Sequence, residues 1–163
     1  MSETGATLAI FAEGWQTYQD HLSAALAPLA PEQLDLRAAP ELRSIGELAC
    51  HIIGVRAGWF HYALGEGDDA FAAYREWHHS TAPRTGAELA EGLTATWQVI
   101  HEALGRYTRA DLQETFQRER QGRIHTLQRG WVVWHVLEHD LQPDDGEGAL
   151  TLGIPGLQAG FTT

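Results

Sequence analysis

Trp131-Val132-Val133-Trp134-His135-Val136-Leu137-Glu138-His139-Asp140 is the stretch on which the fold turns. Residues 127–141 read as a helix that is apolar almost all round from Trp131 to Leu141, and such a helix belongs at the centre of a helical protein. Gln142-Pro143-Asp144-Asp145-Gly146 breaks it, since proline removes an amide donor and clashes with the preceding turn. Successive turns set Trp131, His135, Glu138, His139 and Gln142 along one face. Buried imidazoles and carboxylates need partners, because each unpaired polar group costs about 1–3 kcal/mol. Two histidines at i and i+4 can share a divalent ion. Hydrogen bonding to neighbouring helices satisfies the same groups without one, and the spacing alone leaves both open.

Working outward, three further stretches carry helical stripes. In residues 7–29, Leu8, Phe11, Trp15, Tyr18, Leu22, Ala25 and Leu29 recur at spacings of three and four. Residues 44–64 open with Ser44-Ile45-Gly46-Glu47, a capping box, and continue with Ile45, Leu48, Ile52, Val55 and Trp59 until Gly65. Residues 86–107 open with a second box, Thr85-Gly86-Ala87-Glu88, and carry Leu89, Leu93, Trp97, Ile100, Leu104 and Tyr107. The link over 65–84 is too long for a tight hairpin between helices. It predicts a crossover that leaves the second and third helices parallel, with one helical turn around Phe71 to Trp77. Residues 108–125 are polar and arginine-rich and read as a solvated segment. With no strand-period alternation, the expected fold is all-α: one four-helix bundle domain over 1–163.

The composition narrows the chemistry. The 163 residues include 11 basic and 22 acidic ones, a net charge of 11 − 22 = −11, and every basic residue is arginine. Without lysine there is no Schiff base and no Walker lysine. One cysteine, Cys50, excludes an internal disulfide and a multi-cysteine zinc site. The acidic balance argues against nucleic acid, whose phosphates need a basic face. With no leader and no apolar run near 18 residues, the reading is a soluble cytoplasmic protein with no membrane partner.

Nine histidines and the arginines remain as candidates. His51 lies on the flank of the inward face of its helix and would join His135 and His139 if the two helices face each other. Cys50 reads as a small buried hydrophobe. His78-His79 sits in the long link beside Trp77 and reads as solvated surface. His101 falls beside Ile100 and could line the core. Six arginines lie between Arg106 and Arg129 against Asp111, Glu114 and Glu119, so that segment is +3 and the rest −14. Arginine forks there suit carboxylates.

Ser44-Ile45-Gly46-Glu47-Leu48-Ala49-Cys50-His51-Ile52 together with Arg129-Gly130-Trp131 through Leu141 resembles the DinB/YfiT-like superfamily. The resemblance covers nearly the whole chain, to Leu150-Thr151-Leu152-Gly153. It implies an up-down-down-up four-helix bundle, often a homodimer, that binds a divalent ion such as zinc or nickel through three protein ligands. One ligand maps to His51. The other two stand at i and i+4 on the last helix. The first of these matches His139, and the second falls on Pro143, which has no ligating side chain. Three outcomes are open: His135 substitutes, Asp144 or Asp145 folds back as an oxygen ligand, or no ion is held and the histidines are kept by hydrogen bonds.

Some members of the family are transferases or isomerases that use a low-molecular-weight thiol, and some were named for induction by DNA damage. The resemblance therefore implies a divalent-metal-dependent thiol transferase or isomerase with an altered metal site. Glu138 or His135 would support the ligands or act as base, and Arg123 or Arg129 would meet a carboxylate of a small-molecule substrate. The alternative is a metal-free member that acts as a small-molecule-binding or interaction protein.

Overall fold

A computed structural model describes residues 3–80, 82–120 and 122–141. Its long helices are α1 (Glu3–Leu26), α3 (Ile45–Tyr62), α5 (Gly86–Arg106) and α7 (Arg129–Leu141); α2 (Pro31–Leu34), α4 (Asp69–Ala73) and α6 (Arg109–Gln113) are single turns. A 3₁₀ turn, Tyr74–His79, follows α4. Pro143, Asp144, Asp145 and the ending around Leu150 lie outside the described residues.

The helix starts follow local chemistry. Ser44 Oγ accepts from the Glu47 amide (3.2 Å) and the Glu47 carboxylate accepts from the Ser44 amide (2.8 Å). Thr85 and Glu88 repeat this at α5, and Thr108 and Asp111 at α6. Arg37 adds a two-pronged ion pair on Glu47, which holds that carboxyl below its ordinary range. Past α3, the amides of Gly65 and Glu66 donate to the carbonyls of His61 and Phe60 and close the end.

Pairwise contacts set the helix directions. A side chain on Gly86 would stand 2.2 Å from the Leu26 carbonyl oxygen, so the start of α5 lies under the end of α1 and the two run antiparallel. Arg56 meets the Leu93 carbonyl, and ten residues further on Glu66 pairs with Arg106 and Tyr107, so α3 and α5 run parallel. His51 meets His139 while Trp59 meets Trp131, so α3 and α7 run antiparallel.

The core has two apolar lobes with a sealed polar layer between them. One lobe holds Trp15, Phe60, Trp97, Ile100 and Val136; the other holds Leu22, Leu26, Ile52, Ile53, Leu89 and Leu93. Gln19, Arg56 and Thr96 fall between the lobes along α1, α3 and α5. Arg56 and Asp140 are each 0% exposed. Arg56 donates from Nε to both Asp140 oxygens (3.1 and 3.0 Å), from Nη2 to Oδ2 (2.6 Å), and from Nη1 to Gln19 Oε1 (2.7 Å) and the Leu93 carbonyl (3.0 Å). Trp15 Nε1 donates to Asp140 Oδ2 (2.7 Å), and the Tyr18 hydroxyl donates to the Asp140 carbonyl (2.6 Å). Burial, reinforced by the Asp140 charge, pushes the Tyr18 hydroxyl well above its usual range and keeps it a donor.

Two expectations are corrected. The fold is mostly helical but not all-α: β1 (Thr115–Arg120) and β2 (Arg123–Gln128) form an antiparallel hairpin, with Phe116 opposite Leu127 and Arg118 opposite His125. Gly122, at φ +73°, turns the chain where a side chain would be strained. The alternation escapes a reading by hydrophobicity because the partly buried positions of β1 are Phe116 and Arg118, one apolar and one charged. Second, α7 is not apolar-surrounded. Its residues turn about 100° each, so Val132, Val133, Val136, Leu137 and Asp140 face inward while Trp131 and Trp134 are 43% and 55% exposed. The first-helix stripe is likewise shifted: from Leu8 onward its buried set is Ala12, Trp15, Gln19, Leu22 and Leu26.

Candidate functional site

One face of α3 carries His51, Gly54, Val55, Gly58 and Trp59, and these line a cavity of about 450 Å³. The 3₁₀ turn closes one side with Arg75, His78 and His79, β1 supplies Arg118, and α7 supplies His135 and His139. This volume lies within the usual range for small-molecule pockets.

Gly54 makes the arrangement feasible. A Cβ there would stand 2.5 Å from the His78 Cβ and 2.7 Å from its amide nitrogen, so only glycine admits the turn this close to α3. Trp77 anchors the turn on the other side, against Ile53 and Gly92, with the Arg84 guanidinium 3.6 Å above its ring centre. His78 is thereby delivered to His51 one helical turn before Gly54.

Four imidazoles then meet edge to edge in sequence. His78 Nδ1 stands 2.8 Å from His51 Nδ1, His51 Nε2 stands 3.4 Å from His139 Nδ1, and His139 Nε2 stands 3.1 Å from His135 Nε2. His135 Nδ1 lies 3.9 Å from the exposed Glu138 carboxylate. Half-buried His78 ends the row on one side and buried His51 lies within it; the other end is His135, stacked on Trp131 (4.7 Å, 12°) and edge-on to Trp59 (5.0 Å, 84°). Aromatic faces also carry the two cavity arginines: Arg118 lies 4.6 Å over Trp59 and Arg75 lies 4.5 Å over Tyr62.

The structure thus brings together His51, His135 and His139, with Glu138 at the margin. Arg129 stands elsewhere: it pairs with Glu114 (2.8 Å) and donates to the Tyr107 hydroxyl (3.2 Å), and Arg123 is exposed on β2. His78, expected on the solvated surface, sits in the middle of the site. A tryptophan immediately before a histidine pair, set in a polar link, is the signal that could have found it. His101 is exposed on α5 rather than in the core. Cys50 is buried, and burial pushes its thiol up despite nearby Arg84, as an inert core residue requires.

A mostly helical protein with a histidine-lined cavity between its second and last long helices is the class that this fold and site define. The chain belongs to the DinB superfamily, whose family model matches residues 15–142. No curated protein and no solved structure matches it. Among the described residues, no helix is long and apolar enough to cross a membrane.

Members of this family often bind metal, so the donor set is the test. Zinc wants three or four donors converging on one point. Here His51 turns one ring nitrogen to His78 and the other to His139, and His139 divides its two between His51 and His135. The ring nitrogens are paired in series rather than aimed at one centre. Among the described residues, no three His, Cys, Asp or Glu side chains are grouped to hold an ion. The described residues as placed do not converge on a three-ligand metal centre.

Proposed function

We propose that this DinB-superfamily protein binds a small molecule in the histidine-lined cavity, without a metal, and exchanges protons with it through the imidazole chain. The carrying observation is that the ring nitrogens of His78, His51, His139 and His135 meet in one unbroken series. A neutral imidazole has one N–H and one lone pair, so each ring can donate to the next and accept from the one before. Such a chain accepts a proton at one end and releases it at the other, and each link polarises its neighbours. Pro143, at the position where the family resemblance places a ligand, supports the same reading.

The test is the metal content of untagged protein after equilibration with zinc, nickel and manganese. The expected result is far below one ion per chain, unchanged by His51→Ala or His139→Ala. One equivalent of metal, with a rise in melting temperature that either substitution abolishes, would overturn it.

A divalent-metal-dependent thiol transferase or isomerase is the second reading, and one distance favours it. Two nitrogens bound at about 2.0–2.1 Å to a tetrahedral ion stand roughly 3.3–3.4 Å apart, and His51 Nε2 and His139 Nδ1 stand 3.4 Å apart. The helix directions support the up-down-down-up order of the family bundle. A homodimer is carried over from the resemblance as a further proposal, and light scattering checks it.

A further inference from the structure

A second cavity, of about 210 Å³, lies where the start of α3 meets α2 and the approach to α5. It shares no lining residue with the histidine cavity. Buried Leu34 and Leu89 give it an apolar floor, and Pro31 and Pro83 continue the wall. Asp35, Arg37, Glu47 and Arg84 bring charge to it. Arg37 and Glu47 neutralise each other through their two-pronged pair. Arg84 and Asp35 form no ion pair among the described residues. The Arg84 guanidinium lies 3.6 Å from the Trp77 ring centre, and Trp77 is not part of the lining, so the ring supports the cation from behind. Buried Arg84 Nε has no hydrogen-bond partner. The Cys50 thiol beside this guanidinium is a weak acceptor. Glu88 feels the Arg84 charge but spends its carboxylate on the Thr85 cap. Buried donors are nearly always paired, so an orphan donor at a cavity marks the place of an acceptor.

We infer that this second cavity binds a small aliphatic amino acid as its zwitterion. Arg84 holds the carboxylate, Asp35 draws the ammonium, and Pro31, Leu34, Pro83 and Leu89 pack the side chain. Each part has its own physical reason. Guanidinium donors make charge-assisted hydrogen bonds to a carboxylate. A guanidinium already laid on an indole has less rotamer freedom to lose when it binds. One cation and one carboxylate on separate walls give no net preference for a simple anion or a simple cation, and a zwitterion satisfies both. The volume is below the range of about 300–1,000 Å³ usual for small-molecule pockets, which suits a ligand of few atoms.

Calorimetry on the full chain tests this with L-valine, isovalerate, which lacks the ammonium, and isobutylamine, which lacks the carboxylate. Valine is expected to bind about tenfold more tightly than either, the scale of one hydrogen bond to a charged group. Arg84→Gln is expected to weaken valine about tenfold and leave isobutylamine unchanged. Asp35→Asn, at an exposed position, is expected to weaken valine about fivefold and leave isovalerate unchanged. Arg109→Gln, on α6 and outside the lining, is expected to change none of them. Melting temperatures verify that each variant folds. Should Arg84→Gln unfold the chain, Asp35→Asn and the charge-keeping Arg84→Lys decide the matter, Arg84→Lys being expected to weaken valine less than Asp35→Asn does. Absence of valine binding, or valine binding indifferent to both Arg84 and Asp35, would overturn the inference. Isovalerate or isobutylamine binding as tightly as valine would overturn its zwitterion class. Valine binding that His51→Ala abolishes and Arg84→Gln spares would move the ligand to the histidine cavity and overturn the site.

Discussion

His139 and Asp140 are consecutive residues at the end of α7, and their side chains enter opposite kinds of polar environment. Asp140 points into the layer between the two apolar lobes, where Arg56 and Trp15 saturate both of its oxygens. His139 points into an open cavity and meets two imidazoles. Rotation of about 100° per residue separates them. The first cluster is closed, with helices α1, α3, α5 and α7 tied through one guanidinium and one carboxylate. The second is lined by groups that can change partners. A sealed charge pair fixes geometry, and an accessible row of imidazoles can respond to what enters.

Breaking the sealed side is expected to have the largest effect. Asp140→Ala leaves the Arg56 guanidinium buried without its counter-charge, which costs about 3–5 kcal/mol. Urea unfolding measures it, and the paired change Arg56→Met with Asp140→Leu is expected to recover most of the loss. A destabilisation below 1 kcal/mol for Asp140→Ala would show that the layer is wetter than its zero exposure indicates.

The joint between the cavity and the scaffold is next. Gly54→Ala forces a methyl to 2.5 Å from the His78 Cβ, so the 3₁₀ turn must lift from α3. Overpacking of this kind costs about 1–3 kcal/mol. The imidazole resonances of His51 and His78 are expected to shift together, and unchanged resonances would separate His78 from the site.

The open side should tolerate more. His51→Ala is expected to cost about 1–2 kcal/mol, the scale of a lost neutral hydrogen bond and a partly refilled void, well short of Asp140→Ala. Equal losses at the two positions in parallel unfolding curves would erase the contrast.

The smallest effect is at the helix starts. The Arg37 ion pair holds Glu47 low, and the Thr85 and Thr108 caps hold Glu88 and Asp111 low. A carboxylate with a lowered folded pKa contributes stability that is complete above its unfolded value, about 4. That stability is lost as pH falls through the folded value. Melting temperature should therefore decline below about pH 4, and Glu47→Gln should flatten part of the decline. A Glu47→Gln curve parallel to that of the parent chain would remove the ion pair from the account.

Much of the scaffold was legible. The boxes at Ser44 and Thr85 are closed by atoms three residues apart, so sequence displays them. Leu48, Ile52, Leu89, Leu93 and Ile100 fall on their periodic stripes and are buried. The β1–β2 hairpin was not legible, because arginine supplies one of its partly buried positions. Nor was Arg56 recognisable as the centre of the core. An arginine between Val55 and Ala57 looks like an exposed interruption until Asp140, 84 residues away, is seen to receive it.

Sequence by itself determined the four long helices, the capped starts of α3 and α5, the long crossover, the exclusion of lysine and disulfide chemistry, and His51 and His139 as facing residues. Those depend on neighbours within a turn or two, or on inventory. Tertiary structure alone decided that His78 joins them across 27 residues, and that the imidazoles form a row instead of converging. It also decided that Arg75 and Arg118, rather than Arg123 and Arg129, line the cavity. Ring orientation depends on which backbone can approach which helix, and that is set by Gly54, Gly92 and the Trp77 anchor acting together across the fold.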